Sequence, residues 1–217
     1  MSTHFREIDR LLSEEPFSGI KVIDFLCQDQ ELKTLFEQDA GVSENYTIRE
    51  HTERVYGVFD EQLPFFEPAI AQIKSLDVVR LMKFSLALHD IGKPIAIREK
   101  SKRDQHEFTV PILYGQLEKS GFRSEEAQFL EALMGHDELG RFIKGRAVLD
   151  ETVEFFKNRS RESGLALQDF FLAQVFYYTV DAASYRFLRH RVFEARQGRL
   201  WPRAPHFKDL WQSLGMG

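Results

Sequence analysis

Val78-Val79-Arg80-Leu81-Met82-Lys83-Phe84-Ser85-Leu86-Ala87-Leu88-His89-Asp90-Ile91-Gly92-Lys93-Pro94 decides how the rest of the chain is read. Val78, Met82, Leu86 and His89 fall at the i, i+4, i+8, i+11 spacing of one helix face. Asp77 can cap that helix. The stripe is apolar until its last member, a histidine with an aspartate beside it. An adjacent imidazole and carboxylate can ligate one divalent ion from one short piece of backbone, and the second carboxylate oxygen can reach another ion. Gly92 is expected to end the helix in a left-handed turn, and Pro94 to prevent its continuation. That would leave the ligands at a helix terminus, open to substrate. The plainer alternative is a chance His-Asp pair with Asp90 on the surface, so the flanking chain has to decide.

Outward from this stretch the same helical period recurs. Residues 4–40 read as two helices, the first through Phe5, Ile8, Leu11 and Leu12, the second through Ile20 to Phe36, broken apart at Pro16 and Ser18. Ser43 is a plausible N-cap for a helix running to about Leu63, with His51, Val55, Val58, Phe59 and Gln62 near one face. Pro64 and Pro68 are expected to end it. His106, Val110, Leu113 and Leu117 share a face, with a kink or fresh start expected at Pro111. Ser124-Glu125-Glu126 starts a helix carrying Phe129, Leu133 and His136 inward. Another starts at Asp150 or Thr152, and a long one covers about 168–195 with Phe170, Tyr177, Asp181, Tyr185 and Leu188 near one stripe. No strand-like alternation stands out. The expected fold is all-α: an N-terminal helical extension (1–42) packing on the core, a helical-bundle domain (43–196) and a C-terminal tail (197–217) docking on the body.

Composition sets bounds on function. The chain has 217 residues, 43% apolar, including 20 Phe, which is ample core material for a globular protein. A formal charge of −5 argues against non-specific nucleic-acid binding, although local basic patches can still face a small phosphorylated substrate. One cysteine, Cys27, permits no intramolecular disulfide and suits a reducing, cytoplasmic compartment. The first residues carry charges and no apolar core, so no signal peptide is expected. The longest apolar run, Phe170 to Val180, stops short of the roughly 20 residues a membrane span needs.

His51, His89, Asp90, His106, His136 and Asp181 all fall on the apolar faces of expected helices or next to them. A single histidine there is ordinarily a satisfied core residue. Four of the seven histidines in such places, with an aspartate among Phe, Val and Tyr, are harder to explain without a cation. His51, then Ala87-Leu88-His89-Asp90-Ile91-Gly92-Lys93, then a distant Asp181, resembles the His…His-Asp…Asp signature of the HD-domain superfamily, over roughly residues 44–195. Those proteins are all-helical, and most are metal-dependent phosphohydrolases. His106 and His136 match the extra histidines of the binuclear subset. The Gly-Tyr-Pro signature of the cyclic-di-GMP-cleaving branch is not found in the sequence.

Carried over residue by residue, the resemblance implies that His51, His89, Asp90 and Asp181 hold one metal, and that Asp90 bridges to a second held by His106 and His136. Such nitrogen and carboxylate ligands suit Mn, Fe, Ni, Zn or Co, with Mg at the weaker site. The implied activity is a phosphomonoesterase or phosphodiesterase acting on a small, nucleotide-like phosphate ester through a hydroxide shared by two ions. Lys93 would neutralise phosphate charge, or else be a solvated lysine at a helix end. Asp137 would hold His136 as a hydrogen-bond acceptor or accept a proton toward the leaving group, or else be a surface acid. Arg141, Lys144, Arg146, Arg186 and Arg189 are weaker phosphate-clamp candidates. The same ligand set suits a mixed-valence di-iron oxygenase; a catalytically idle regulatory module is a third reading, which the full ligand set argues against. The substrate, the metal identity and the oligomeric state are left open.

Overall fold

The computed structural model describes residues 3–42, 44–99, 101 and 105–216, with the side chains of residues 3–5 outside the description. The expected Ser43 cap, the side chains of His4 and Phe5, and Lys100, Lys102, Arg103 and Asp104 lie outside the described residues. The fold is all-α with one small hairpin. In chain order the elements are α1 (Thr3–Ser13), α2 (Gly19–Leu26), α3 (Gln30–Phe36), α4 (Ile48–Ile70), α5 (Val78–Leu88), α6 (Lys93–Arg98), α7 (Gln105–Ser120), α8 (Ser124–Met134), α9 (Glu138–Ile143), α10 (Leu149–Ser163), α11 (Leu167–Ser184), α12 (Arg186–Val192), β1 (Phe193–Arg196), β2 (Arg199–Pro202) and α13 (Phe207–Ser213). They form two compact units, Met1–Tyr56 with Arg80–Ala127, and Gly57–Val79 with Gln128–Gly217.

In the first unit α5 is the buried axis. Every residue from Leu81 to Pro94 is buried, not only the stripe that the period marks. A helix closed off on all sides needs its polar groups satisfied locally. Lys83 donates from Nζ to the Leu12 carbonyl at 3.1 Å, and the Tyr56 hydroxyl donates to the Lys83 carbonyl at 2.7 Å. α1 packs on α2 and α7 through a core that includes Ile8, Leu11 and Leu12. Arg80 fastens it with an ion pair to Asp9 at 3.0 Å. The N-terminal segment holds three helices, not two. Asp29 breaks the second apolar run by accepting from the Glu31 and Leu32 amides, which caps α3.

Prolines 64, 68 and 111 do not end their helices. α4 runs through Pro64 and Pro68, and α7 through Pro111. All three prolines are exposed, so the carbonyls that lose a donor face water, while Phe59, Phe66, Ile70, Leu113 and Leu117 bury the opposite sides. The expected long helix at 168–195 is broken at Tyr185, whose backbone is extended. The chain then forms α12 and an antiparallel hairpin, which the sequence reading missed. Its two-residue turn is Gln197-Gly198, with φ of 52° and 82°, the twist that suits paired strands.

The second unit is an aromatic core. Phe66 stacks on Phe176 at 4.6 Å, and Phe156 meets Phe171 edge-on at 4.9 Å. The C-terminal segment docks on it: Phe171 lies 5.9 Å from Trp211, and Trp201 meets Trp211 at 4.9 Å. The Gln168 amide reaches the Leu214 carbonyl at 3.4 Å.

Candidate metal centre

Local chemistry fixes each donor. Thr47 caps α4 in a reciprocal box: the Glu50 carboxylate accepts from the Thr47 amide at 2.8 Å, and the Thr47 hydroxyl accepts from the Glu50 amide at 3.1 Å. His51 follows at once, and its own amide bonds the Thr47 carbonyl at 3.0 Å. The ligand is thereby held in the first turns of a helix whose start is pinned. His89 and Asp90 come one step after α5 ends, in a turn closed by Ile91 N–H to Leu88 O at 3.1 Å and Lys93 N–H to Asp90 O at 3.0 Å.

Gly92 has a right-handed backbone, φ −81°, and leads into α6 with Pro94 in its first turn. The expected left-handed stop is therefore wrong, and Pro94 starts a helix instead of blocking one. The need for glycine is steric. A Cβ at Gly92 would lie 2.4 Å from the Thr109 amide nitrogen, and the Gly92 amide donates to the Thr109 hydroxyl at 3.2 Å. This close approach seats α7 against the motif.

His51, His89 and Asp90 converge, all buried, with one donor atom from each within 4.8 Å of the others. The two Nε2 atoms are 3.0 Å apart, and Asp90 Oδ2 lies 3.3 Å from His51 Nε2 and 3.8 Å from His89 Nε2. Bonds of about 2.0–2.2 Å to one ion place neighbouring ligand atoms about 3.0–3.6 Å apart; two sides of the triangle fall in that range, and the third, at 3.8 Å, lies just beyond it. The His89 Nδ1 donates to the Leu86 carbonyl at 2.7 Å, which leaves Nε2 as the lone-pair nitrogen pointing into the triangle.

Asp90 accepts at both oxygens: from Lys93 Nζ at 2.8 Å on Oδ2 and from Gln105 Nε2 at 2.9 Å on Oδ1. Burial alone would raise its carboxyl. The Lys93 ammonium, then His89 and His51, outweigh that and hold it well below the usual carboxylate range. Lys93 is buried, not solvated. Gln105 was missed in the sequence, where only its neighbour His106 was singled out. The Thr47-x-x-Glu50 box was legible there but was passed over for Ser43.

The remaining candidates have different surroundings. His106 is half-buried on α7 of the first unit. In the second unit α8 ends at Met134, so His136 and Asp137 belong to the link into α9. His136 is exposed and meets Phe155 edge-on at 5.7 Å, in place of the inward position expected for it. Asp181 is half-buried on α11. Asp137 curls over Gly140, where a Cβ would fall 2.1 Å from its Oδ1, and accepts from Lys144 at 3.2 Å. Dense surroundings push the Asp137 carboxyl up, aided by the charge of Asp181 and opposed by Lys144, although much of its side chain meets solvent. Burial, with those same two acids nearby, raises the Tyr178 hydroxyl strongly. Arg141 pairs with Glu138 at 2.8 Å, which occupies it structurally.

Comparison with protein-family models, with curated proteins and with solved structures gave no match. Fold and geometry define an all-α protein with a buried His-His-Asp group able to hold a divalent metal ion. No helix among the described residues is long and apolar enough to cross a membrane.

Proposed function

We propose that the protein is an HD-type, metal-dependent phosphohydrolase, a phosphomonoesterase or phosphodiesterase acting on small, nucleotide-like phosphate esters. The observation that carries this reading is the buried His51–His89–Asp90 triangle with Lys93 on the same carboxylate, built from the His-Asp-Ile-Gly-Lys string. A divalent ion held there supplies Lewis acidity and a bound water of lowered pKa. His51 and His89 would hold the ion through Nε2, and Asp90 through Oδ2, with Gln105 bonded to its other oxygen. Lys93 offsets negative charge, first on Asp90 and then on the phosphoryl oxygens.

The ligand roles of Asp181, His106 and His136, and the second ion, rest on the sequence resemblance. The role of Asp137 as a proton acceptor toward the leaving group rests on the same resemblance. The test is phosphate-ester cleavage by the purified chain loaded in turn with Mn, Ni, Co and Zn. The substrates are p-nitrophenyl phosphate, bis-p-nitrophenyl phosphate and a nucleotide panel. Cleavage with at least one metal is expected, with a drop of roughly 10²–10³ in kcat for Lys93→Met. No cleavage with any metal, together with O₂ uptake by the iron-loaded chain, would overturn hydrolysis in favour of oxygenation.

A further inference from the structure

Between Arg186 and Lys208 the chain carries Arg186, Arg189, Arg191, Arg196, Arg199, Arg203 and Lys208 against the single acid Glu194. This is a formal +6 inside a chain of −5, so the remainder carries −11. The segment is α12, the hairpin and the start of α13, and α12 packs directly on β1.

Elsewhere many exposed or half-buried cations have carboxylate partners, as in Arg10–Glu7, Lys21–Glu14, Arg49–Asp24, Lys119–Asp29 and Arg159–Glu162. Here only Arg189, with Glu61, and Arg196, with Glu194, do so among the described residues. Arg186, Arg191, Arg203 and Lys208 are exposed. Arg199 is held by rings instead of acids, 4.1 Å from Phe66 and 4.9 Å from Trp201, and its buried Nε and Nη2 have no hydrogen-bond partner among the described residues. Phe187 is 54% exposed, and the Arg191 guanidinium lies 3.7 Å over its ring. A concentration of unneutralised charge is costly to the free protein and is relieved by a polyanion.

We propose that α12 and the hairpin bind single-stranded nucleic acid, independently of the metal centre. Six of the seven cations are arginines, whose planar forks match phosphate diesters. Phe187 with its stacked guanidinium offers a platform for an unpaired base, which stacks on aromatic or guanidinium planes. A narrow, flexible strand can follow so short a patch, whereas a flat anionic bilayer would also confront the acidic remainder. α12 also lacks the broad apolar face that inserts into lipid.

The experiment is fluorescence anisotropy on the full chain, in EDTA and again with Mn, using labelled 20-nucleotide single-stranded RNA and DNA and the corresponding duplex. Sedimentation with phosphatidylcholine vesicles containing phosphatidylserine runs in parallel. Binding of a single strand in the micromolar range at low salt is expected, unchanged by EDTA. Arg186→Glu/Arg191→Glu/Arg203→Glu should weaken it at least tenfold and lower the slope of log K against log salt by about 2, at about 0.7 for each phosphate no longer neutralised. Phe187→Ala, which leaves the charge intact, should weaken it about tenfold. Lys21→Glu/Lys33→Glu/Lys74→Glu makes the same charge change elsewhere and should alter binding less than twofold; thermal melts check that each variant folds. The proposal fails if no single strand binds, if the control triple weakens binding as much as the arginine triple, or if vesicles bind and oligonucleotides do not.

Discussion

His89 Nε2 carries a lone pair and lies 3.0 Å from His51 Nε2, so a proton on His51 or a cation has to stand between the two nitrogens. With His89 locked by the Leu86 carbonyl and Asp90 a third corner, a metal ion satisfies all three donors at once. Gln105 donates to Asp90 Oδ1, so it acts on the metal through the carboxylate. Gln105→Leu is expected to weaken metal affinity about 10–100-fold while the fold persists, as measured by competition with a chelating dye. Lys93→Met removes the buried ammonium that faces Asp90 and should cost the metal-free chain about 3–5 kcal/mol, read from urea unfolding in EDTA. At this scale the sequence was informative where chemistry is local. His89, Asp90 and Lys93 share one turn, and His51 stood on a clean apolar stripe. Gln105 was invisible because its role depends on a partner 15 residues away along the chain.

Elements position these side chains through caps and close approaches. Thr47→Ala removes half of the box that starts α4 and should cost about 1 kcal/mol, and metal affinity should fall with it because His51 sits in the turn that frays. Gly92→Ala forces a Cβ to 2.4 Å from the backbone of α7 and should destabilise by about 1–3 kcal/mol in denaturant melts. Asp29 caps α3 and pairs with Lys119; the lysine, then burial working against it, then the Leu32 and Glu31 amides set its carboxyl below the ordinary value. A lowered carboxyl stabilises above its unfolded pKa of about 3.9, and that stability is lost as pH falls through the folded value. Asp29→Ala should therefore cost about 1 kcal/mol at neutral pH, and its difference from the parent should close as pH falls below the ordinary carboxylate range. Helix positions were legible from the period, but their ends were not. Exposed Pro64, Pro68 and Pro111 leave their freed carbonyls to water, so each helix continues, while Asp29 and Tyr185 break runs that the apolar pattern joins.

For the whole molecule, the all-α class follows from the dominance of the 3.6-residue period, which the 193–202 hairpin is too short to disturb. A net charge of −5 concealed the segregation of +6 into one C-terminal segment, because a sum carries no position. Since Leu81 to Pro94 form the buried axis of the first unit, metal binding and folding are coupled. Metal at a hundredfold excess over its Kd should add about 2.7 kcal/mol and raise Tm by roughly 5–10 °C, an increment that EDTA removes. The most direct test of the central claim is elemental analysis of the purified chain, normalised per protein and repeated after loading with Mn or Ni. At least one transition-metal ion per chain is expected, two if the second site fills, and none in His51→Ala/His89→Ala/Asp90→Ala. A wild-type chain that holds no ion after loading, or a triple variant that retains the wild-type amount, would contradict that claim.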